Sequence, residues 1–355
     1  MYPNPSLNAI SSLHSAVCSG LRIMKIYKVK IMIKLFLFLS FCSFFISCGS
    51  TNKNIVKYNI LMISYPDQSN PDDCPSYESE IIGFDIRTNE YRQFTVDNFE
   101  DAAPSYSPSG DKILFCSKRP ITGYMTGPAP NRLFIGDIQS HSIEQIQFEN
   151  EDEDKFIPDF STPICSPVSN EIAFGMKNLN NGKVIIYDLN SDEVKLEMEV
   201  LPYIDKIRWS SNGKYLAYLA NKFVQTGNSI NYTFELGFID IKNKSQKILE
   251  RTESLSWNLI SGVPGNDKFL IYNIDSARAP IKIYEYDVET NDRKYLATTI
   301  ERWPQECGAT ENEILFIKTA EDNTQDIWLL NIKNNTFTQI TFDGKTKSDI
   351  SYFRD

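Results

Sequence analysis

Six times along this chain of 355 residues, an Asp or Asn stands at the end of a short, apolar, strand-like run: Asp85, Asp137, Asp188, Asp240, Asp287 and Asn331. The steps between them are 52, 51, 52, 47 and 44 residues. A recurring period of this size marks a repeat architecture, in which each unit buries its apolar faces against its neighbours. When such units are built from strands they specify the blades of a β-propeller. The expected fold is therefore all-β, a six-bladed β-propeller of four-stranded blades. The Asx side chains themselves read as turn formers rather than metal ligands, because they bond backbone groups two residues on.

The second unit shows the grammar best. Ala103 to Tyr106 reads as an inner strand and Ser107-Pro108-Ser109-Gly110-Asp111 as a reversal. There Pro108 fixes φ and Gly110 supplies a positive-φ position. Ile113 to Ser117 is an apolar run suited to a strand buried between blades. Arg132 to Asp137 gives the third strand and the more polar Ile143 to Phe148 the outer one. The first unit offers only Asn59–Tyr65, Glu80–Asp85 and Glu90–Thr95, with no inner strand. The last unit leaves a spare strand, Asp349 to Phe353, after its outer strand Thr336–Thr341. The ring is thus expected to be closed by the C-terminal strand joining the N-terminal blade, which leaves no free edge.

The segment 1–47 stands apart from the fold. Lys25, Lys28, Lys30 and Lys34 precede an apolar run from Leu35 to Ile46. A basic stretch followed by a short apolar run is a secretory signal, and the run is short for a membrane span. Phe45-Ile46-Ser47-Cys48-Gly49-Ser50 resembles a bacterial lipoprotein lipobox, with Phe45 in place of the usual Leu. The resemblance implies lipidation of Cys48. The expected organisation is a lipoprotein signal peptide at 1–47, whose first 23 residues precede Met24 as an alternative start. A lipid-anchored tether at 48–57 and the propeller at 58–355 follow. Removing 1–47 removes five bases and no acid, which leaves 31 basic and 46 acidic side chains. So acidic a chain is a poor ligand for nucleic acid or an anionic membrane face.

The stretch Pro104-Ser105-Tyr106-Ser107-Pro108-Ser109-Gly110-Asp111-Lys112-Ile113-Leu114-Phe115 resembles the propeller repeat of the TolB family. A weaker copy runs from Ile207 to Ala217. The resemblance covers about residues 58–355 and implies the same ring, without the N-terminal α/β domain that TolB adds. It is specific for fold and weak for activity.

Chemistry is sparsely signposted. Beyond residue 47 the one histidine is His141, in the turn after Asp137, where a solvated side chain is the plain reading. One His cannot build a His-rich metal site, and no Gly-x-Ser-x-Gly elbow occurs. Cys74, Cys116, Cys165 and Cys307 form no C-x-x-C pair. Cys116, Cys165 and Cys307 read as small buried hydrophobes. The acidic run Glu149, Glu151, Asp152, Glu153, Asp154 and Asp159 lacks the glycine of a calcium loop and reads as a solvated loop. No catalytic set, metal or cofactor is expected.

Loop length carries the functional expectation. The connections between second and third strands are long in the first, second and fourth blades, at Pro66–Ser79, Arg119–Asn131 and Asn221–Thr233. They hold Tyr77, Tyr124, Met125, Phe223 and Tyr232 on one face of the ring. Aromatic and Met side chains on long loops of a rigid scaffold are the composition of recognition surfaces. Equally, they can pack within their own loops. Trp209, Trp257 and Trp328 read as strand residues, and Trp303 as a candidate for the channel mouth. Three readings stand at this point. The leading one is a non-enzymatic cell-envelope lipoprotein that holds an envelope protein or peptide. The others are a surface protein that binds or degrades a glycan, and a structural envelope component.

Overall fold

A computed structural model describes residues 60–64, 79–97, 99–119, 131–147, 159–177, 181–226, 229–254, 257–263, 265–273, 281–298, 307–309, 312–319, 325–343, 345 and 347–352. Its strands form six four-stranded antiparallel sheets. Blade one contains β1 (Ile60–Ser64), β2 (Glu80–Asp85) and β3 (Glu90–Gln93). Blade two contains β4 (Asp101–Tyr106), β5 (Lys112–Ser117), β6 (Arg132–Asp137) and β7 (Ile143–Gln145). Blade three runs through β8 (Asp159–Cys165), β9 (Glu171–Lys177), β10 (Gly182–Asp188) and β11 (Glu193–Val200). Blade four has β12 (Tyr203–Trp209), β13 (Tyr215–Thr226), β14 (Ser229–Asp240) and β15 (Ser245–Thr252). Blade five has β16 (Trp257–Gly262), β17 (Phe269–Asn273), β18 (Lys282–Tyr286) and β19 (Arg293–Thr298). Blade six has β20 (Cys307–Ala309), β21 (Glu313–Thr319), β22 (Gln325–Asn331) and β23 (Thr336–Gln339).

The last strand, β24 (Lys347–Tyr352), completes blade one by pairing with β1, in the order β24-β1-β2-β3. Closure by the C-terminal strand is therefore as the sequence requires. Period-2 alternation explains why β1 is buried along its whole length. Leu61 and Ile63 face blade two, beside Tyr106, Ile113 and Phe115. Ile60 and Met62 face blade six, beside Leu315, Ile317 and Ile327. The core is a cycle of such seams, each filled by alternate residues of two neighbouring sheets.

Antiparallel connection sorts the joints onto two faces. Turns from inner to second strand and from third to outer strand share the turn face. Joints from second to third strand and from outer to the next inner strand share the loop face. All six Asx residues open turns on the turn face. Asp85 Oδ1 accepts from the Arg87 N–H at 2.8 Å, Asp137 from Gln139 at 2.9 Å, and Asp188 from Asn190 at 2.8 Å. Asp287 and Asn331 do the same for Glu289 and Lys333, and Asp240 accepts from the Asn243 N–H, three residues on. Four residues after each Asx the backbone is left-handed, at Asn89, His141, Asp192, Lys244, Asn291 and Asn335. This second half of the motif favours Asn and Asp, which tolerate that conformation. His141 stands in the turn as expected. Its Nε2 also lies 2.7 Å from Arg92 Nη2 of blade one, a partner 49 residues away.

Gly110 takes φ 68°, as its turn demands. Inner strands carry register breaks, at Ala102/Ser105 in β4, Ser161/Ile164 in β8, Ile204/Lys206 in β12 and Leu259/Ser261 in β16. Such bulges bend a strand and raise its twist, as befits the innermost strand of a blade. Trp209 and Cys116 are buried, as expected. Burial pushes the Cys116 thiol up and that of Cys165 to about 12, so neither has thiolate character.

One expectation fails. Residues 221–226 and 229–233 of blade four are strand, not loop: β13 and β14 continue past the blade in unbroken register to Thr226↔Ser229. The stretch is rich in β-branched and aromatic residues on both sides of Gly227-Asn228, which is hairpin chemistry. Phe223 and Tyr232 therefore stand on strands, directly opposite one another.

Candidate functional site on the loop face

The hairpin is the most prominent described feature of the loop face. Opposed residues of an antiparallel pair project on one side, so Phe223 with Tyr232 and Asn221 with Phe234 share a face. Tyr203 of β12 pairs with Asn221 and adds to the same face. The outcome is a ladder of rings. Tyr203 stacks on Phe223 with centroids 4.8 Å apart, Phe223 meets Tyr232 at 6.4 Å, and Tyr232 stacks on Phe234 at 5.9 Å. Lys177 Nζ of blade three lies 4.2 Å from the Tyr203 ring centroid, a cation–π contact. Phe223 and Tyr232 are each 45% exposed, and Val224 and Ile230 are exposed beside them. At the base, Asn221 Nδ2 donates to Asp205 Oδ2 at 2.7 Å, and burial raises the Asp205 carboxyl.

A second cluster closes the seam between blades one and two on the same face. Asp101 is fully buried and takes Arg119 Nη1 at 2.6 Å. Arg119 Nη2 also binds Asp97, and its guanidinium lies over the rings of Phe115 and Phe134 at 5.2 and 5.4 Å. Glu80 Oε1 accepts from the Asp97 N–H at 3.1 Å, while its buried Oε2 has no hydrogen-bond partner. Burial, with Asp97 and Asp101 close by, pushes the Glu80 carboxyl up to about 7. Burial also raises Asp101 against the pull of Arg119.

A pH dependence follows from Glu80. Its folded pKa lies above its unfolded value, so the folded state binds the extra proton. Stability is fully present below about pH 4.5 and declines as pH rises through about 7. Glu80 is partly buried, with its remaining exposed surface screened by water, so the loss is about 1 kcal/mol. Melting temperatures measured from pH 4.5 to pH 8 should fall less in Glu80→Gln than in the wild type. Parallel curves would reject this assignment.

Several sequence candidates lie outside the described residues: Cys48, Tyr77, Tyr124, Met125, Trp303 and the acidic residues Glu149 to Asp154. Asp159 is described, and its Oδ1 accepts from the Asn131 N–H at 3.1 Å, a structural bond between blades two and three. Among the described residues, no three His, Cys, Asp or Glu side chains converge as a metal site would require. The structure thus brings Phe223 and Tyr232 together and adds Tyr203, Phe234 and Lys177. Their one local signal is the apolar alternation of the hairpin.

No family model matches the sequence, and no curated protein does. Among solved structures the chain is similar to TolB from Acinetobacter baumannii, with a TM-score of 0.58 and 13% identity, over 83% of this chain and 66% of that one. It thus matches slightly under two thirds of that protein's length. It is similar to a TolB-like protein from Agrobacterium tumefaciens, with a TM-score of 0.53 and 13% identity, over 86% of this chain and 100% of that one. It is also similar to a chain of the nidogen/laminin complex, with a TM-score of 0.53 and 6% identity, over 82% of this chain and 97% of that one. At these identities the likeness is one of fold: the six-bladed ring of TolB-type propellers.

Proposed function

We propose that this protein is a non-enzymatic cell-envelope lipoprotein, anchored through Cys48 to a bacterial outer membrane, that holds a protein or peptide partner on its loop face. The observation that carries the reading is the exposed aromatic ladder on a hairpin that extends beyond its blade. A two-stranded ribbon is marginal in water on its own, and exposed rings in a cluster are costly unless something covers them. Tyr and Phe are also the residues favoured in the cores of protein interfaces. One solved ring of similar fold belongs to the nidogen/laminin complex. That supports protein binding as a use of such a ring.

One envelope experiment tests both halves of the reading. Lipidated wild type should fractionate with membranes and capture a specific partner, and Cys48→Ser should move to the soluble fraction. Phe223→Ala with Tyr232→Ala should retain at least about tenfold less partner, the loss expected of a hot-spot pair. Its melting temperature should stay near wild type, since both side chains are exposed. Full capture by the double variant would overturn the loop-face reading, and membrane retention of Cys48→Ser would overturn the anchor.

A further inference from the structure

The hairpin leaves its sheet at defined points. The inner strand β12 last pairs at Tyr203↔Asn221, and the outer strand β15 at Phe234↔Thr252. Beyond them, among the described residues, Lys222–Thr226 and Ser229–Thr233 pair only with each other. Along Ser229–Thr233 the β14 strand therefore turns alternate N–H and C=O groups outward, toward no strand among the described residues. Natural sheets guard such edges with charge, proline, bulges or a cover. The β13 edge carries Lys222. The β14 edge reads Ser229-Ile230-Asn231-Tyr232-Thr233, with no charge, no proline and no break in register. It is five residues long, faces the outer rim of the ring, and shows Ile230 at 53% and Tyr232 at 45% exposure.

The geometry points to strand addition: an extended peptide segment of a partner protein, bearing acidic residues, pairs along Ser229–Thr233 as a further strand of the hairpin. Its alternate apolar side chains lie across Ile230 and Tyr232, in continuation of the ladder from Phe223. This rests on the loop-face reading above and specifies how that face recognises its partner. Main-chain hydrogen bonds supply affinity in such additions, and alternate side-chain contacts supply specificity.

Charge selects the occupant. Residues 221–234 hold Lys222 and no acidic residue, in a chain with 46 acids and 36 bases. Lys177 stands over Tyr203 on the ladder face. The described stretches of the hairpin thus carry one charge, the cation of Lys222 on the face opposite the rings, which favours an acidic segment over a basic one. A second copy of this chain would set one net charge of −10 against another. A sugar would use the rings and leave the backbone edge without a partner.

The test uses the full chain and an array of fluorescent, acetylated decapeptides that alternate valine or isoleucine with threonine, with or without three terminal glutamates. Binding is read by fluorescence anisotropy. The glutamate-bearing members should bind more tightly than the uncharged ones, and the difference should shrink as salt rises. N-methylation of alternate backbone nitrogens should abolish binding in one register and spare it in the other, because only one set faces the edge. Ile230→Ser with Tyr232→Ser removes the apolar contacts without changing the charge, and should weaken binding at least tenfold at unchanged melting temperature. Equal binding by the two N-methylated registers, no binding by any member, or unaltered binding by the serine variant would overturn strand addition. So would an array of glycans, or a concentration-dependent dimer, that alone responds to the serine variant. If Phe223→Ala with Tyr232→Ala loses its envelope partner while both N-methylated registers bind alike, strand addition fails and the loop-face reading stands.

Discussion

Lys347→Met should lower the stability of the ring by about 3 kcal/mol, the lower part of the range for removing one partner of a buried ion pair. In a ring of about 300 residues that corresponds to a melting temperature lower by roughly 4–6 °C. The Lys347 side chain is only 1% exposed. Its Nζ donates to the Gln325 carbonyl at 2.8 Å and the Lys345 carbonyl at 2.9 Å, and it binds the Asp343 carboxylate. Asp326 lies 3.9 Å away, fixed in turn by the Thr341 hydroxyl at 3.0 Å. Lys347 opens β24 opposite Ser64 of β1, so this cluster fastens the closing strand to blade six where its pairing with β1 begins. Methionine preserves the length of the stem and leaves two carbonyls and two carboxylates without their cation. Unfolding followed by circular dichroism reads the loss, and limited proteolysis should release the C-terminal strand first. A variant that melts with the wild type would show that β24 is held by its pairing with β1 alone. Lys347→Arg is no neutral control, because a planar fork cannot reproduce the three divergent bonds of an ammonium.

The period, the number of blades and the closure were legible because their causes are local. An Asx turn needs only a short stretch of neighbouring residues, and the unbroken apolar run Ile60–Ile63 already announces a strand buried on both faces. The left-handed residue four positions after each Asx was equally local, and Asn89, Asp192, Asn291 and Asn335 carried the signal. The hairpin of blade four was misjudged on length alone. Its Gly227-Asn228 pair between β-branched runs was visible, but a blade of standard size leaves no place for a strand of 12 residues. The clusters around Arg119 and Lys347 had no local signature. Asp97, Asp101 and Arg119 are ordinary surface residues in one dimension, and meet only because the seam of blades one and two folds Asp97 and Arg119, 22 residues apart, onto each other. Charge buried by tertiary contact leaves no periodic trace.

A similar blindness applies to glycine, and a pair of substitutions three residues apart exposes it. Gly262→Val should destabilise the ring by about 3 kcal/mol, at or above the top of the usual range for overpacking. A Cβ at 262 would sit 2.2 Å from the Trp209 carbonyl oxygen, 3.1 Å from the Ser210 Cα and 3.2 Å from the Ser211 nitrogen. These are backbone atoms of blade four, so no rotamer change relieves the contact. The two blades would have to part, and in a closed ring a displaced seam is resisted by the five others. Gly265 is the contrasting case. Nothing lies within 4 Å of its Cβ position, but its φ is +80°. Gly265→Ala should therefore cost only about 1 kcal/mol, the penalty of left-handed backbone, and Gly265→Asn less still. Chemical denaturation of the three variants separates the two causes. If Gly262→Val and Gly265→Ala lose equal stability, backbone conformation rather than the approach of blades four and five governs both sites. If Gly262→Val loses far more, the spacing of neighbouring blades is set by where one inner strand admits the backbone of the next.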